Sequence, residues 1–207
     1  AVLVCTQARD ANTAPGNVTL NFPANDSFFN RASVFLNWTV ATDADGDALT
    51  YFLWLNGTNA NATTATNMTM ILGDGFYDWT IRTGDGKLNS TNFAFNRTFT
   101  VDTVVPRSFF IAPSEANNTF RSAQSFIIVN ASASDLWQLS NITFLIVNGS
   151  FANVTTFTIA NNQTVNMSFN WSQLSRNSRY LYNVTVYDKA GNANTTETRT
   201  ITLDNTQ

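Results

Sequence analysis

The chain contains two copies of one sequence pattern, and this internal repeat limits its possible folds more than any other feature. Residues 77–81 align with residues 182–186, and residues 99–103 align with residues 201–205. The 207 residues are enough for two domains of about 100 residues each. The repeat therefore predicts two tandem domains that share one fold.

Short segments within each copy alternate apolar and polar side chains, which is the period of a β-strand. Residues 35–40 and 182–186 are examples, and such segments are rich in β-branched and aromatic residues. Asp-Gly and Asn-Gly turns separate them, whereas helical periodicity is weak. This spacing predicts an all-β chain of two tandem immunoglobulin-like β-sandwiches. We place the domains at residues 14–104 and 105–207, after an N-terminal segment of residues 1–13.

A tyrosine near the start of the predicted sixth strand sharpens this prediction. Tyr77 follows the turn Asp74-Gly75. In immunoglobulin-like sandwiches, a tyrosine in this place ties the preceding turn to the strand through its hydroxyl group. The alternative is an ordinary half-buried strand tyrosine. The repeat places Tyr182 at the equivalent position of the second domain, although the Asp-Gly turn is missing there.

Four segments carry a resemblance to a known family: residues 17–27 (NVTLNFPANDS), 74–81 (DGFYDWTI), 98–106 (TFTVDTVVP) and 184–194 (VTVYDKAGNAN). They resemble the tandem immunoglobulin-like repeats of archaeal and bacterial cell-surface proteins, and the heavy use of Asn and Thr is most similar to the archaeal ones. The resemblance covers roughly residues 14–207. It implies the sandwich fold and a location outside the cell. It does not imply one function, because such repeats serve as stalks, filaments, surface-layer pieces and enzyme appendages.

Charged residues make up only 12% of the chain, so uncharged groups must cover its surface. Asn and Thr supply them, with 28 and 30 copies. A net charge of −3 and only eleven Lys and Arg residues leave no dense basic surface for nucleic acid. Histidine is absent and no nucleophile motif or zinc-ligand spacing occurs, so we expect no enzymatic activity. No run of 18 apolar residues is present to span a membrane.

Eighteen Asn residues stand in the acceptor pattern for N-glycosylation, Asn-x-Ser/Thr with x not proline. Random placement of the Asn residues among this many Ser and Thr residues would give roughly six such patterns. The excess predicts covalent N-glycans. The acceptors are Asn17, Asn25, Asn37, Asn56, Asn61, Asn67, Asn89, Asn96, Asn117, Asn130, Asn141, Asn148, Asn153, Asn162, Asn166, Asn170, Asn183 and Asn194.

The middle residue is apolar in eight of these acceptor patterns. Residues i and i+2 of a strand share one face and residue i+1 takes the other. Asn and Thr should therefore point to solvent while the middle residue enters the core, and glycans there would protect edge strands from pairing. The alternative is that Asn and Thr are convenient outward polar residues without sugars. The middle residues are Val18, Trp38, Met68, Ile142, Val154, Met167, Trp171 and Val184.

Asp43, Asp45 and Asp47 are the best metal candidate, because alternate carboxylates at a glycine turn can converge on a hard cation such as Ca²⁺. The later glutamate of an EF-hand loop is missing, and a turn of solvated aspartates is the alternative. We expect no other cofactor. Asp74, Asp78 and Asp85 lie near one another but make a poor catalytic set, because Asp74 serves a turn and Asp78 alternates with core aromatics.

The five tryptophans divide into two groups by position. Trp38, Trp54 and Trp79 occupy strand positions that we expect to face the core. Trp137 and Trp171 lie outside the clearest strands, so they are the candidates for an exposed contact with sugar.

Val2, Leu3 and Val4 lie in a short β-prone run that precedes the first domain and has no assigned partner. A free strand suits addition to a sheet edge of a neighbouring copy, and head-to-tail contacts of that kind generate filaments. The alternatives for this run are an extra strand of its own domain or a linker. Cys5, the one cysteine, leaves no internal disulfide.

These features together predict a structural, glycosylated homopolymer at the cell surface, without a nucleic-acid partner or a membrane span. An adhesin or a carbohydrate-binding stalk of a larger protein is the first alternative. An accessory module of a secreted enzyme is the second.

Overall fold

The computed structural model describes residues 11–149 and 151–205 of the chain. These residues form seventeen strands and no helix, so the described part contains no helix that could cross a membrane. The chain divides into two compact units, one ending at Asp102 and the next beginning at Thr103. The predicted all-β fold is confirmed. Residues 1–6, with the predicted donor residues and Cys5, lie outside the described residues.

The first unit is a sandwich of two sheets. Its strands are β1 (Leu20–Phe22), β2 (Ser27–Phe29), β3 (Ser33–Trp38), β4 (Thr50–Leu55), β5 (Thr58–Thr63), β6 (Asn67–Ile71), β7 (Gly75–Gly84) and β8 (Arg97–Val101). One sheet has the order β1-β3-β6 and the other the order β2-β8-β7-β4-β5.

The second unit repeats this plan. Its strands are β9 (Arg107–Phe110), β10 (Thr119–Ser122), β11 (Ile127–Ser134), β12 (Leu139–Asn148), β13 (Phe151–Thr158), β14 (Thr164–Trp171), β15 (Ser178–Asp188), β16 (Ala193–Thr195) and β17 (Arg199–Asp204). The sheets have the orders β14-β11-β9 and β10-β17-β15-β12-β13, and β16 pairs with β15.

The first strand of each sandwich is divided between the two sheets. β1 pairs antiparallel with β3, whereas β2 pairs parallel with β8. In the second unit β9 pairs antiparallel with β11, and β10 pairs parallel with β17. Pro23 and Pro113, each preceded by a cis peptide bond, lie in the two breaks. The proline is thus the point at which the edge strand changes sheets.

The core of the first unit follows the period-two pattern of its strands. Val34, Leu36 and Trp38 of β3 are at most 3% exposed, and the intervening Phe35 is 41% exposed. The fully buried ring of Phe99 stacks on Tyr77 at a centroid distance of 5.3 Å. Burial of each large apolar side chain contributes about 1.5–3 kcal/mol relative to exposure, so this alternation is what sets the strand faces.

The core of the second unit is built around Phe144. Its ring is fully buried and lies 6.0, 5.6 and 6.3 Å from the ring centroids of Phe157, Phe169 and Trp171. These partners come from the edge strands β13 and β14. Aromatic side chains therefore fill the core between the edge strands β13 and β14 of the two sheets.

The predicted tyrosine corner is present in the first unit, where the Tyr77 hydroxyl donates a 2.9 Å hydrogen bond to the Gly73 carbonyl oxygen. The assignment of Tyr182 to the second corner is wrong. Tyr180 fills that place and donates to the Ser175 carbonyl oxygen at 3.1 Å, whereas Tyr182 donates to the carbonyl oxygen of Glu115. Strand register gives the reason, since Gly75 pairs with Val101 as Ser178 pairs with Leu203, which makes Tyr180 the equivalent of Tyr77.

Candidate glycosylation surface and acidic loop

The acceptor asparagines lie at the surface of both units. None of the eighteen is buried. Eleven are exposed, namely Asn17, Asn25, Asn56, Asn61, Asn67, Asn89, Asn96, Asn117, Asn162, Asn166 and Asn170. The other seven are half-buried, namely Asn37, Asn130, Asn141, Asn148, Asn153, Asn183 and Asn194.

Strand alternation explains this distribution. Of the eight apolar middle residues, Val18, Trp38, Ile142, Trp171 and Val184 are buried, and Met68 and Met167 are half-buried. Because the middle residue occupies the core, the two flanking polar residues are directed away from it.

Val154 is the exception, and the prediction that it faces the core is wrong. It is 62% exposed, and its neighbour Asn153 faces inward instead. The Asn153 Oδ1 atom accepts hydrogen bonds from the indole Nε1 of Trp171 at 3.3 Å and from the hydroxyl of Thr155 at 3.0 Å. Phe157 causes the reversal, because its ring packs on Phe144 and residues 153 and 155 share its face of the strand.

Asn130 is a second acceptor with restricted access. It lies in β11, the central strand of a three-stranded sheet, between β9 and β14. Its Nδ2 atom, to which a glycan would be attached, is buried and makes no hydrogen bond to the described residues. A glycosyl transfer enzyme would not reach this nitrogen in the folded unit.

Two exposed acceptors also serve the fold. The Asn25 Oδ1 atom accepts a 2.9 Å hydrogen bond from the backbone N–H of Thr98, and the Asn117 Oδ1 atom accepts one of 2.8 Å from Thr200. Both asparagines thereby hold the last strand of their unit. These bonds use the carbonyl oxygen, so they do not engage the nitrogen to which a glycan is attached.

Asn37 and Asn67 face each other directly across β3 and β6. Their Cα atoms are opposite partners of an antiparallel ladder, where such atoms lie about 4.5–5.5 Å apart. Two glycans attached here would leave the sheet side by side.

The predicted metal ligands Asp43, Asp45 and Asp47 are brought together in the loop between β3 and β4. One carboxylate oxygen from each lies within 4.8 Å of the others. The Asp43 Oδ1 atom accepts hydrogen bonds from the backbone N–H groups of Asp45 at 3.0 Å and Asp47 at 3.1 Å. This oxygen therefore already organises the turn.

A lysine ammonium group binds at this acidic loop. The Lys87 Nζ atom lies 2.7 Å from the Asp47 Oδ2 atom and donates to the Asn12 Oδ1 atom at 3.0 Å. The hydrogen bond to Asp47 raises the pKa of Lys87, and the charges of the nearby aspartates act in the same direction. The ammonium group thus supplies a positive charge where a calcium ion was predicted.

Asp85 holds the loop that carries Lys87. Its Oδ1 atom accepts the backbone N–H groups of Lys87 at 2.7 Å and Leu88 at 2.6 Å, and its Oδ2 atom accepts the Asn12 amide at 2.9 Å. The Leu88 bond first, and then the Asn12 bond, lower the pKa of Asp85 from 3.8 to about 2. This carboxylate therefore stabilises the loop between β7 and β8 in its charged form.

The second unit contains a pair of close carboxylates that the sequence pattern did not predict. One oxygen of Asp135 lies within 4.8 Å of one of Asp188, which is 2% exposed. Burial raises the pKa of Asp135, and the negative charge of Asp188 adds to the effect. Asp188 accepts hydrogen bonds from the backbone and side-chain nitrogens of Asn192 at 2.9 and 2.8 Å. The turn sequence Asp-Lys-Ala-Gly-Asn, residues 188–192, is the part of the sequence from which the position of Asp188 could have been predicted.

Two tryptophan predictions are wrong. Trp171 is 4% exposed and belongs to the core, because it completes the alternation Val165, Met167, Phe169 in β14. Trp54 was expected inside, but its side chain is half-buried on the outer face of β4, opposite the buried Leu53 and Leu55.

Trp54 lies instead in a surface pocket of about 260 Å³. The ring of Phe93 meets it edge to face, with the centroids 5.2 Å apart. Asp78 and Asn96 contribute polar groups to the lining. The exposed aromatic surface therefore lies at Trp54 and Phe93 rather than at Trp171.

No protein-family model matches this chain, and no curated protein matches it either. Solved structures are similar to it. Fibronectin(III)-like modules of CbhA from Clostridium thermocellum match with 17% identity and a TM-score of 0.52, over 91% of this chain and 94% of that chain. Three N-terminal domains of the highly immunogenic outer capsid protein of bacteriophage RB49 match with 10% identity and a TM-score of 0.53, over 94% of this chain and 71% of that chain.

The FN1–FN3 domains of chicken CNTN1 also match, with 15% identity, a TM-score of 0.41, and coverage of 92% of this chain and 66% of that chain. The similarity to the CbhA modules and to the capsid-protein domains, at 17% and 10% identity, shows the fold alone. The chain consists of tandem immunoglobulin-like or fibronectin(III)-like β-sandwiches.

Proposed function

We propose that the chain is a structural, N-glycosylated extracellular protein without enzymatic activity, whose copies assemble head to tail at a cell surface. One observation supports the proposed glycosylation most directly: none of the eighteen acceptor asparagines is buried, although strands make up most of the fold. The low charge content supports it, because sugars replace the missing ionic groups at the surface. The fold is compatible with a surface role, since one similar structure comes from an outer capsid protein.

Assembly proceeds by donation of the β-prone run around Val2, Leu3 and Val4 to a sheet edge of the next copy. Backbone hydrogen bonds supply the affinity, and pockets for alternate side chains set the register. Edge strands with acceptor asparagines are shielded from such pairing by their glycans. These asparagines are Asn61 in β5, Asn67 in β6, and Asn166 and Asn170 in β14.

The strand β9 is the acceptor edge that this reasoning favours. It contains no asparagine, and within the described residues it pairs only with β11. Its Phe109 is 47% exposed, so the edge offers an apolar contact. A donated strand would extend this three-stranded sheet by one strand.

Electron microscopy of the full chain and of a variant without residues 1–10 tests this mechanism. The deletion ends before Asn12, so the contacts of Asn12 with Asp85 and Lys87 are kept. We expect filaments from the full chain and single particles from the variant. The variant keeps the acceptor edge, so small amounts of it should cap growing ends and shorten the filaments. Equal polymerisation by both chains would refute strand donation.

A carbohydrate-binding stalk is the second candidate function. The aromatic pocket at Trp54 and Phe93 favours it, because aromatic rings with a few polar groups are typical of small-ligand sites. Isolated rods that bind added oligosaccharide would support this alternative over the filament subunit.

A further inference from the structure

The pocket at Trp54 lies on the outer face of the five-stranded sheet, away from the core. Trp54 of β4 is the register partner of Thr80 of β7, and Phe93 reaches them from the loop that joins β7 to β8. The ring planes of Trp54 and Phe93 make an angle of 85°. Two aromatic rings therefore form the apolar part of an open concave surface.

The loop that carries Phe93 is fixed to the sheet. The Thr80 hydroxyl donates to the Ala94 carbonyl oxygen at 2.7 Å, and the Ala94 N–H donates to the Ile81 carbonyl oxygen at 3.0 Å. The guanidinium carbon of Arg82 lies 5.2 Å from the centroid of the Phe93 ring. These contacts hold the ring in place before any ligand arrives, which lowers the entropic cost of binding.

An acceptor asparagine belongs to the same pocket. Asn96, in the pattern Asn96-Arg97-Thr98, is exposed and lies on the pocket wall together with Asp78. A sugar attached to Asn96 is thus tethered beside the aromatic rings, and tethering gives a high effective concentration without a second partner.

The chemistry of the wall fits a pyranose ring. Such a ring has an apolar C–H face that packs on aromatic surfaces and hydroxyl groups that need acceptors, which the Asp78 carboxylate provides. The cavity of about 260 Å³ lies just below the range of about 300–1,000 Å³ for drug-sized ligands. It therefore suits a single monosaccharide unit.

We propose that the first sugar of the glycan on Asn96 packs into this pocket against Trp54 and Phe93. The inference rests on the proposed glycosylation and names the binding site of one glycan. The sugar fastens the loop between β7 and β8 onto the sheet, so this glycan stabilises the first unit in addition to covering it.

A double-mutant cycle on the glycosylated full chain tests the contact. Asn96→Gln removes the glycan, and we expect it to raise the unfolding equilibrium constant about three- to tenfold, as for loss of one aromatic contact. In the Phe93→Ala background, the same removal should have a smaller effect, because only the Trp54 contact remains. Phe95→Ala is the matched control, because Phe95 lies in the same loop but is 96% exposed, and there the effect of the glycan should persist.

A measurement without substitution of the aromatic residues complements the cycle. Nuclear Overhauser cross-peaks between the Trp54 indole protons and the ring protons of the Asn96-linked sugar are expected in the parent chain. Their loss in Asn96→Gln identifies the sugar. Cross-peaks that persist in Asn96→Gln would show that another sugar occupies the pocket and would overturn the proposal.

The remaining outcomes distinguish failure of the pocket contact from failure of the proposed glycosylation. Mass spectrometry that finds Asn96 unmodified, while other acceptors carry glycans, would overturn the pocket contact and leave the proposed function standing. Unmodified asparagines throughout the chain would overturn both. A modified Asn96 with additive effects in the cycle and no cross-peaks would overturn the contact alone.

Discussion

The hydroxyl of Tyr77 donates a 2.9 Å hydrogen bond to the carbonyl oxygen of Gly73, four residues earlier in the chain. The same side chain stacks on the buried ring of Phe99. One residue therefore fastens the turn before β7 to the hydrophobic core. Tyr180 and the carbonyl oxygen of Ser175 repeat the arrangement in the second unit at 3.1 Å.

Tyr77→Phe should lower the free energy of unfolding of the first unit by about 1 kcal/mol. The substitution keeps the ring and its stacking but leaves the Gly73 carbonyl without this donor, and a typical intramolecular hydrogen bond contributes about 0.5–1.5 kcal/mol. Urea unfolding of the full chain measures the change. Tyr187→Phe is the control, because Tyr187 is 39% exposed in β15. Equal stability of Tyr77→Phe and the parent would contradict the role of the corner.

Acid should weaken the first unit through Asp85. The pKa of this carboxyl group is about 2 in the folded protein, below its ordinary value of 3.8. A group with a lowered folded pKa contributes stability above its unfolded pKa and loses it as the pH falls through the folded one. Stability should therefore decline between about pH 4 and about pH 2.

Asp85→Asn tests this pH dependence, because it keeps an acceptor oxygen for the backbone N–H groups of Lys87 and Leu88 but cannot titrate. We expect a shallower loss of stability for the variant between about pH 4 and about pH 2, measured by urea unfolding across this range. Parallel curves for parent and variant would show that another group governs the acid transition.

The sequence alone predicted the sandwich fold because polar and apolar residues alternate clearly in most strands. In β3, for example, Val34, Leu36 and Trp38 leave only one assignment of faces. In β4 the residues from Tyr51 to Leu55 are all apolar, so the sequence does not indicate which of them face the core. Trp54 was therefore placed on the wrong face, and the pocket that it forms with Phe93 of a distant loop was invisible before folding.

Register was the second source of error. The sequence match of Tyr77 with Tyr182 is one strand period away from the structural match with Tyr180, because a two-residue shift preserves the alternation of faces. Asn153 failed for a related reason. Its pattern Asn-Val-Thr predicts an asparagine that faces solvent. The contact of Phe157 with the core instead determines which residues of β13 face inward, and Asn153 is one of them.

Glycan occupancy should differ between acceptors on neighbouring strands. Asn130 has a buried Nδ2 atom and Asn153 faces Trp171, so we expect both to be unmodified. Asn166 and Asn170 of β14 are exposed and should carry glycans. Glycopeptide mass spectrometry of the native protein measures all four. High occupancy at Asn130 would mean that its glycan is added before β11 folds and that the sheet rearranges around it.

Calcium should not stabilise the parent chain, because the ammonium group of Lys87 lies 2.7 Å from Asp47 at the acidic loop. Lys87→Met removes that charge and leaves the carboxylates of Asp43, Asp45 and Asp47 within 4.8 Å of one another. Their mutual repulsion should lower the melting temperature at low salt. Added Ca²⁺, which takes oxygen ligands, should restore it in the variant.

Thermal unfolding of parent and variant with Ca²⁺ or with a chelator measures this difference. Lys189→Met controls for the loss of one lysine, since Lys189 donates to Asn161 at 3.0 Å in the second unit. A parent chain that gains as much from Ca²⁺ as Lys87→Met does would contradict the ammonium account. It would instead favour the calcium site predicted from the spacing of Asp43, Asp45 and Asp47, with Lys87 displaced when the ion binds.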